Sequence, residues 1–250
     1  DGAVKVISPF RGSPADIAGI KSGDFITHLD GRLIVGQELD ESVAQMRGRE
    51  GTSIQLTIFR PGRDEPFDLS VKRGVIELEP VTWELHEGNI GQIMVNEFSR
   101  DVGSDVFTAW EEMKAEATGR IDGLVLDLRS NPGGSLDEAV ALSDLFLTEG
   151  RIVSQRGRAR GENIAYDAET VFRGDIAGGL PMVVLIDAGS ASASEIVAGA
   201  LQDHRRAVVM GERSFGKGSV QSLLPLGRDA ALKLTTARYF TPSGHSVQEG

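Results

Sequence analysis

The chain has 250 residues, 40% of them hydrophobic, a formal net charge of −11 and no cysteine. That is enough apolar material for one large core or two smaller ones. The acidic excess argues against nucleic acid or an anionic membrane surface as the main partner, since phosphate neutralisation needs clustered Lys and Arg. Absent cysteines exclude disulfides, thiolate catalysis and Cys-ligated zinc, and are compatible with an exported protein. No apolar run approaches the roughly 20 residues needed to span a bilayer. The chain opens on Asp1 and not on Met, as a mature form or a fragment would.

Residues 1–74 form one compositional unit. Residues 4–7 alternate like a strand. Ser13-Pro14 reads as a helix start, 15–18 as a short helix and Gly19 as its stop. Residues 25–29 read as a strand, and Asp30-Gly31 as a tight turn. Leu39, Val43 and Met46 recur at i, i+4 and i+7, the stripe of an amphipathic helix over 39–46. SIQLTIFR (53–60) alternates as a half-buried strand does, and another strand at 67–71 follows a Pro-Gly turn. Short strands with two small helices in this length make a small β-barrel-like module. The phrase SPA-x-x-AGI-x-x-GD-x-I-x-x-x-DG within it resembles a PDZ domain of the type attached to bacterial proteases. Such domains take a peptide C-terminus by strand addition, with a glycine-containing loop of N–H groups on the carboxylate. In the protease-attached type that loop lies upstream of Asp1, so the PDZ domain is expected to be N-terminally incomplete. A packing module without a ligand is the plainer reading.

Residues 75–88 read as a linker broken by Pro80, and from Asn89 onward strands and helices alternate. Strands are expected at 90–95, 123–128, 182–186, 207–210, 219–226 and 232–239. Helices are expected at 101–117, with Val102, Val106, Trp110 and Met113 on one face, and at 136–147 and 192–203. GLVLDL (123–128) is a continuous apolar run, as in a sheet buried on both sides. Residues 151–168 are polar and poorly patterned, an expected exposed hairpin. The alternation argues for a mixed α/β core.

The chemistry concentrates between 182 and 221. After the apolar strand come three serines at alternate positions, Ser190, Ser192 and Ser194, at the start of a helix. A serine there is often only a cap, because its oxygen satisfies an orphan N–H. One helix needs one cap, however, and small Ala and Gly neighbours leave the other hydroxyls open. The helix N-terminus also offers N–H groups and a positive dipole end to a developing oxyanion. The stretch is not a G-x-S-x-G elbow. None of His28, His86, His204 and His245 sits in a triad context, so Lys217, in the glycine-flanked loop 211–218, is the candidate base. A lysine accepts a proton from serine only when its pKa falls from about 10.4 towards neutrality. Phe215 and the flanking glycines are the expected source of the burial this requires; the plainer reading is a solvated loop lysine. GERSFGKG also nearly fits the phosphate-binding pattern G-x-x-x-x-G-K-[ST], but Gly218 replaces the hydroxyl and a strand, not a helix, follows, so no nucleotide is expected. The third stretch is DLRSNPGGS (127–135), where adjacent glycines turn backbone N–H groups outward into an anion-binding concavity. A plain turn before a helix would explain it as well.

Together DLRSNPGG, GSASASEI and GERSFGKGSVQ, in this order, resemble the motifs of the carboxyl-terminal processing (tail-specific) serine proteases. The resemblance extends over most of 89–245, behind a PDZ module as in that family. It implies a Clp-protease/crotonase-like α/β core over 89–250, C-terminally incomplete, and a serine endopeptidase cleaving proteins near an apolar C-terminal tail. Residue by residue it places Ser192 on the nucleophile, Lys217 on the general base and Gln221 on the glutamine that orients the lysine. The N–H groups of Gly134 and Ala193 fall on the oxyanion hole. It implies no cofactor and no metal, peptide or protein substrates, a homo-oligomer or an activating adaptor as further partners, and export to the bacterial periplasm or cell envelope. Two other classes stay open. One is a non-catalytic PDZ-type scaffold; the other is an acyl-thioester enzyme of the crotonase type, for which no basic cluster offers a coenzyme site.

Overall fold

The computed structural model describes residues 3–10, 12–76, 79–158, 161, 163–169, 174–225 and 230–248. The chain divides into two compact units, 1–79 and 80–250.

In the first unit, strands β1 (Val4–Lys5), β2 (Phe25–Leu29), β4 (Ser53–Phe59) and β5 (Phe67–Lys72) pair antiparallel in that order, with β3 (Arg32–Leu33) on the other part of β2. Asp30 and Gly31 both take positive φ, +48° and +76°, which is how a two-residue hairpin turn matches strand twist. Helix α1 (Pro14–Ile17) starts as its sequence indicates: the Ser13 hydroxyl accepts the Asp16 N–H, and Pro14 occupies the first turn. Alternate residues of the strands, Ile26, Ile54, Leu56, Ile58 and Val71, bury against Ile20, Leu29 and Ile34. Below this core the fully buried Asp24 carboxylate takes two bonds from Arg60, each 2.7 Å, and one from the Lys21 N–H at 2.8 Å. The expected stripe on α2 (Leu39–Met46) is only partly inward. Leu39 is 57% exposed, while Ser42 is the buried residue and Met46 packs on the core.

The second unit holds a five-stranded sheet ordered β12-β11-β8-β7-β6. Its strands are β6 (Val81–His86), β7 (Ile90–Val95), β8 (Gly123–Asp127), β11 (Met182–Ile186) and β12 (Val208–Gly211). All pair parallel except the β6–β7 hairpin. Strand β6 corrects the reading of 75–88 as a linker. Val81, Trp83 and Leu85 alternate onto the core, and Pro80 sits just before the strand, where a missing N–H costs no ladder bond. Helices α3 (Val102–Glu116), α4 (Leu136–Asp144) and α5 (Ala193–Asp203) pack with this sheet. Val102, Val106, Trp110 and Met113 of α3 are all buried, as their spacing indicates. Helix α4 ends earlier than expected: the N–H groups of Leu145 and Phe146 bond three residues back, and the chain turns while Leu145, Phe146 and Leu147 stay buried.

A second, antiparallel sheet is ordered β10-β9-β14-β13, from β9 (Arg151–Gly157), β10 (Ile164–Asp167), β13 (Ser219–Pro225) and β14 (Ala231–Phe240). Strands β9 and β10 do form a hairpin, but not the exposed one expected. β9 lies between two neighbours and buries Ile152, Val153 and Ser154. Among the described residues no helix is long and apolar enough to cross a membrane.

Strand β8 is the middle strand of the five-stranded sheet, and its Leu126 is fully buried. Leu126→Ala should therefore lower unfolding stability by about 2–5 kcal/mol through lost transfer energy and a residual cavity, read from urea denaturation.

Candidate active site

Three adjacent parallel strands, β8, β11 and β12, end at the same edge of the sheet, with Leu185 beside Asp127 and Ile186 beside Gly211. The loops that follow them are the three motif stretches: 128–135, 187–192 and 212–218. Loops at the carboxyl ends of parallel strands are where open α/β sheets form their sites.

The first loop is anchored by polar bonds at both ends. Buried Asp127 accepts from Arg129 through its N–H, Nε (2.9 Å) and Nη2 (2.6 Å), and from Gln92 Nε2 at 3.1 Å. The bonds to Asp127 raise the Arg129 pKa above its ordinary value, outweighing burial. Fully buried Asn131 donates to the Val95 carbonyl and accepts the Gly133 N–H, each at 2.8 Å. Its own carbonyl takes the Ala191 N–H and the Ser194 hydroxyl, both at 3.0 Å. The two glycines are sterically required. At Gly134 (φ +146°) a Cβ would lie 2.3 Å from the Phe98 oxygen; at Gly133 (φ +100°) it would lie 2.6 Å from the Ala191 oxygen and 3.0 Å from the Ala193 nitrogen. The glycine loop thus lies directly against the serine turn.

The three serines divide by what their hydroxyls do. Ser190 is fully buried; its hydroxyl donates to the Leu128 carbonyl at 2.7 Å and accepts the Asp187 N–H at 3.0 Å. Ser194, also fully buried, is committed to Asn131. Both hold one motif loop to the next. Ser192 is half-buried and stands at the N-cap of α5 in a capping box with Glu195, while the N–H groups of Ser194 and Glu195 also bond the carbonyls of Ala191 and Ser192. Its backbone sits at φ +56°, ψ −111°, close to the first central position of a II′ turn and normally glycine's. A serine held there stores about 1–3 kcal/mol of strain, as functional positions often do.

Lys217 is half-buried in the third loop. Its backbone is joined to the serine turn by one carboxylate: Glu195 Oε2 accepts the N–H of Ser192 at 2.7 Å and of Lys217 at 2.9 Å. The two backbones therefore lie within two hydrogen-bond lengths of each other. Among the described residues no hydrogen bond links the Ser192 hydroxyl to the Lys217 ammonium; free enzymes often show such contacts long and tighten them with substrate. The N–H groups of Gly134 and Ala193 have no acceptor among the described residues. Gln221 lies on β13 opposite Thr235, exposed, just after a slip in register between Val220 and Gln221, and makes no hydrogen bond to Lys217 among the described residues. Glu195 and Asn131, both central to the geometry, carry no expected role in the sequence reading. For Glu195 a signal existed: Ser192-x-x-Glu195 is a capping-box spacing.

A mixed α/β core with a serine turn, a glycine loop and a lysine loop at one sheet edge, behind a small β-barrel, defines a class of hydrolase scaffold. Residues 89–250 match the model of Peptidase family S41, and residues 1–71 match that of the PDZ domain. The chain belongs to peptidase family S41, with a PDZ domain ahead of the peptidase core. It is 50% identical over 246 residues to a carboxy-terminal-processing protease of Bartonella bacilliformis, covering 98% of this chain and 56% of the relative. It is 35% identical to a carboxy-terminal processing protease of Bacillus subtilis, covering 100% and 52%. Among solved structures, a photosystem II D1 C-terminal processing protease superimposes with a TM-score of 0.86 at 29% identity, over 99% of this chain and 66% of that one. The chain spans about half the length of the curated relatives it matches.

The different duties of the serines give separable effects. Ser190→Ala, which strips a buried carbonyl and a buried N–H of their partner, should cost about 1–3 kcal/mol in urea unfolding. Ser192→Gly should instead raise stability by about 1 kcal/mol through relief of strain; a serine comfortable in this turn would show no gain.

Proposed function

We propose that the protein is a serine endopeptidase that uses a Ser192–Lys217 dyad to cut proteins near an apolar C-terminal tail. The observation that carries this reading is the division among the three serines. Two are spent on structure, and the one between them stands on a strained turn at a helix N-terminus, tied by its backbone to the lysine loop.

Lys217, uncharged, takes the proton from Ser192 as Oγ attacks the scissile carbonyl carbon. The oxyanion is received by the N–H groups of Gly134 and Ala193, aided by the N-terminal dipole of α5. The lysine then passes its proton to the leaving amine as the C–N bond breaks, and water releases the acyl group by the reverse steps. Gln221 orients the lysine once substrate is present, and neither cofactor nor metal has a step to perform.

The apolar tail of the substrate has a place to bind in the PDZ unit. A groove of about 570 Å³ there is lined chiefly by apolar side chains, among them Val6, Phe10, Ile26, Met46, Leu56 and Val71. Tail capture by that groove would explain specificity for apolar C-termini, by burial of one or two aliphatic side chains.

The test is cleavage of a protein with and without an apolar tail, with mass spectrometry of the cut position. Ser192→Ala and Lys217→Ala should each abolish cleavage while the circular dichroism spectrum stays native. Gln221→Ala should weaken it less, by about ten- to a hundredfold, as loss of an orienting hydrogen bond does. Wild-type rates in either of the first two variants would remove that residue from its role.

A further inference from the structure

Glu195 accepts four hydrogen bonds inside the protein, and they come from both halves of the site. Oε1 accepts the Ser214 hydroxyl and the Gly216 N–H, each at 2.7 Å; Oε2 accepts the N–H groups of Ser192 and Lys217 at 2.7 and 2.9 Å. An ionised carboxylate offers about four lone-pair positions, and here all are filled. The residue is only 7% exposed. Such a buried charge is tolerable because it is fully hydrogen-bonded and sits in the first turn of α5, where the helix dipole favours a negative group.

The lysine loop is also held at its far end, where the Tyr239 N–H bonds the Gly218 carbonyl at 2.8 Å and the Gly218 N–H bonds the Gln248 side chain at 3.2 Å. Glu212, Arg213 and Gly211 at its start are exposed. Its other backbone ties to the serine turn and β11 are the Phe215 N–H on the Ser190 carbonyl (3.0 Å) and the Glu212 N–H on the Ile186 carbonyl (3.1 Å). Three donors of the segment carrying Lys217, at positions 214, 216 and 217, converge on one side chain from the first turn of α5.

We propose that Glu195 is a positioning residue that sets the dyad: its carboxylate fixes the lysine loop to the backbone of the nucleophile, so that serine and lysine are brought together by a shared acceptor and not by their own contact. This rests on the Ser–Lys reading for its catalytic consequence, but not for the latch itself. Glutamine cannot substitute. Its amide keeps one acceptor oxygen and turns an NH2 group towards two N–H or O–H donors, so half the latch opens although size and shape are preserved. Aspartate keeps the charge but falls one methylene short.

Two readouts test this separately. Hydrogen exchange by mass spectrometry follows the latch without activity. In Glu195→Gln, peptides covering 212–218 should exchange at least about tenfold faster, the equivalent of losing one hydrogen bond to a charged group, while peptides from β8 and β11 exchange as in the wild type. Kinetics on the tailed substrate follow the consequence: kcat should fall at least about tenfold with KM within about twofold, because tail binding is untouched. Glu195→Asp should recover part of the lost kcat. Should Glu195→Gln fail to fold, Ser214→Ala removes one donor and leaves the carboxylate, and should still speed exchange across 212–218. Unchanged exchange there in the folded variants, or wild-type kcat despite faster exchange, would overturn the assignment. Inactivity of the wild type, with the exchange effect intact, would instead sink the dyad reading and leave the latch standing.

Discussion

Parallel pairing of β8, β11 and β12 is the constraint on which the site depends. Parallel neighbours point the same way, so their carboxyl ends, and the loops leaving them, must meet at one edge. Stretches nearly sixty residues apart in the chain thereby touch at van der Waals distance: Gly133 of the first loop has no room for a Cβ against the Ala191–Ala193 backbone of the next. Helix α5 then crosses back over the sheet from that same edge, so its positive end and its unbonded N–H groups face the meeting point.

Upon this frame the polar groups are arranged with little redundancy. Asp127, Asn131, Ser190 and Ser194 are buried and hydrogen-bonded, Asp127 by Arg129 and by Gln92 of β7, the other three by partners that include a neighbouring loop. In a low-dielectric interior such bonds are strong, and leaving one unmade is costly, so the loops have one arrangement and not several. The strain at Ser192 is what that rigidity sustains. A turn held from both sides keeps its serine in a glycine-like conformation.

The PDZ unit follows a different logic. Its strands are short, its core is aliphatic, and the fully buried Asp24 is closed by Arg60, just past the end of β4. The described core residues of this unit all lie between Val4 and Val71, which fits a module that folds around its own hydrophobic residues and offers a groove of its own.

Much of this could be read along the chain. Local patterns placed α3, β7, β11 and the Asp30-Gly31 hairpin closely, because burial of a helix face or strand and the φ demands of a tight turn are written in neighbouring residues. The residues' own pattern marked out the serine turn, Lys217 and the glycine loop, and the family resemblance alone placed Ser192 and Gly134 in particular roles. What local pattern misjudged were elements whose fate depends on what packs against them: β6 behind its proline, the inner strand β9 among polar residues, and the exposed start of α2. Apart from that resemblance, the residue pattern left three serines equivalent. Only tertiary contact separated them, because a hydroxyl's duty is decided by the acceptor that folding places beside it. For the same reason Glu195 stayed unremarked in the sequence: its four donors come from positions 192 to 217, and only the folded backbone turns them onto one carboxylate.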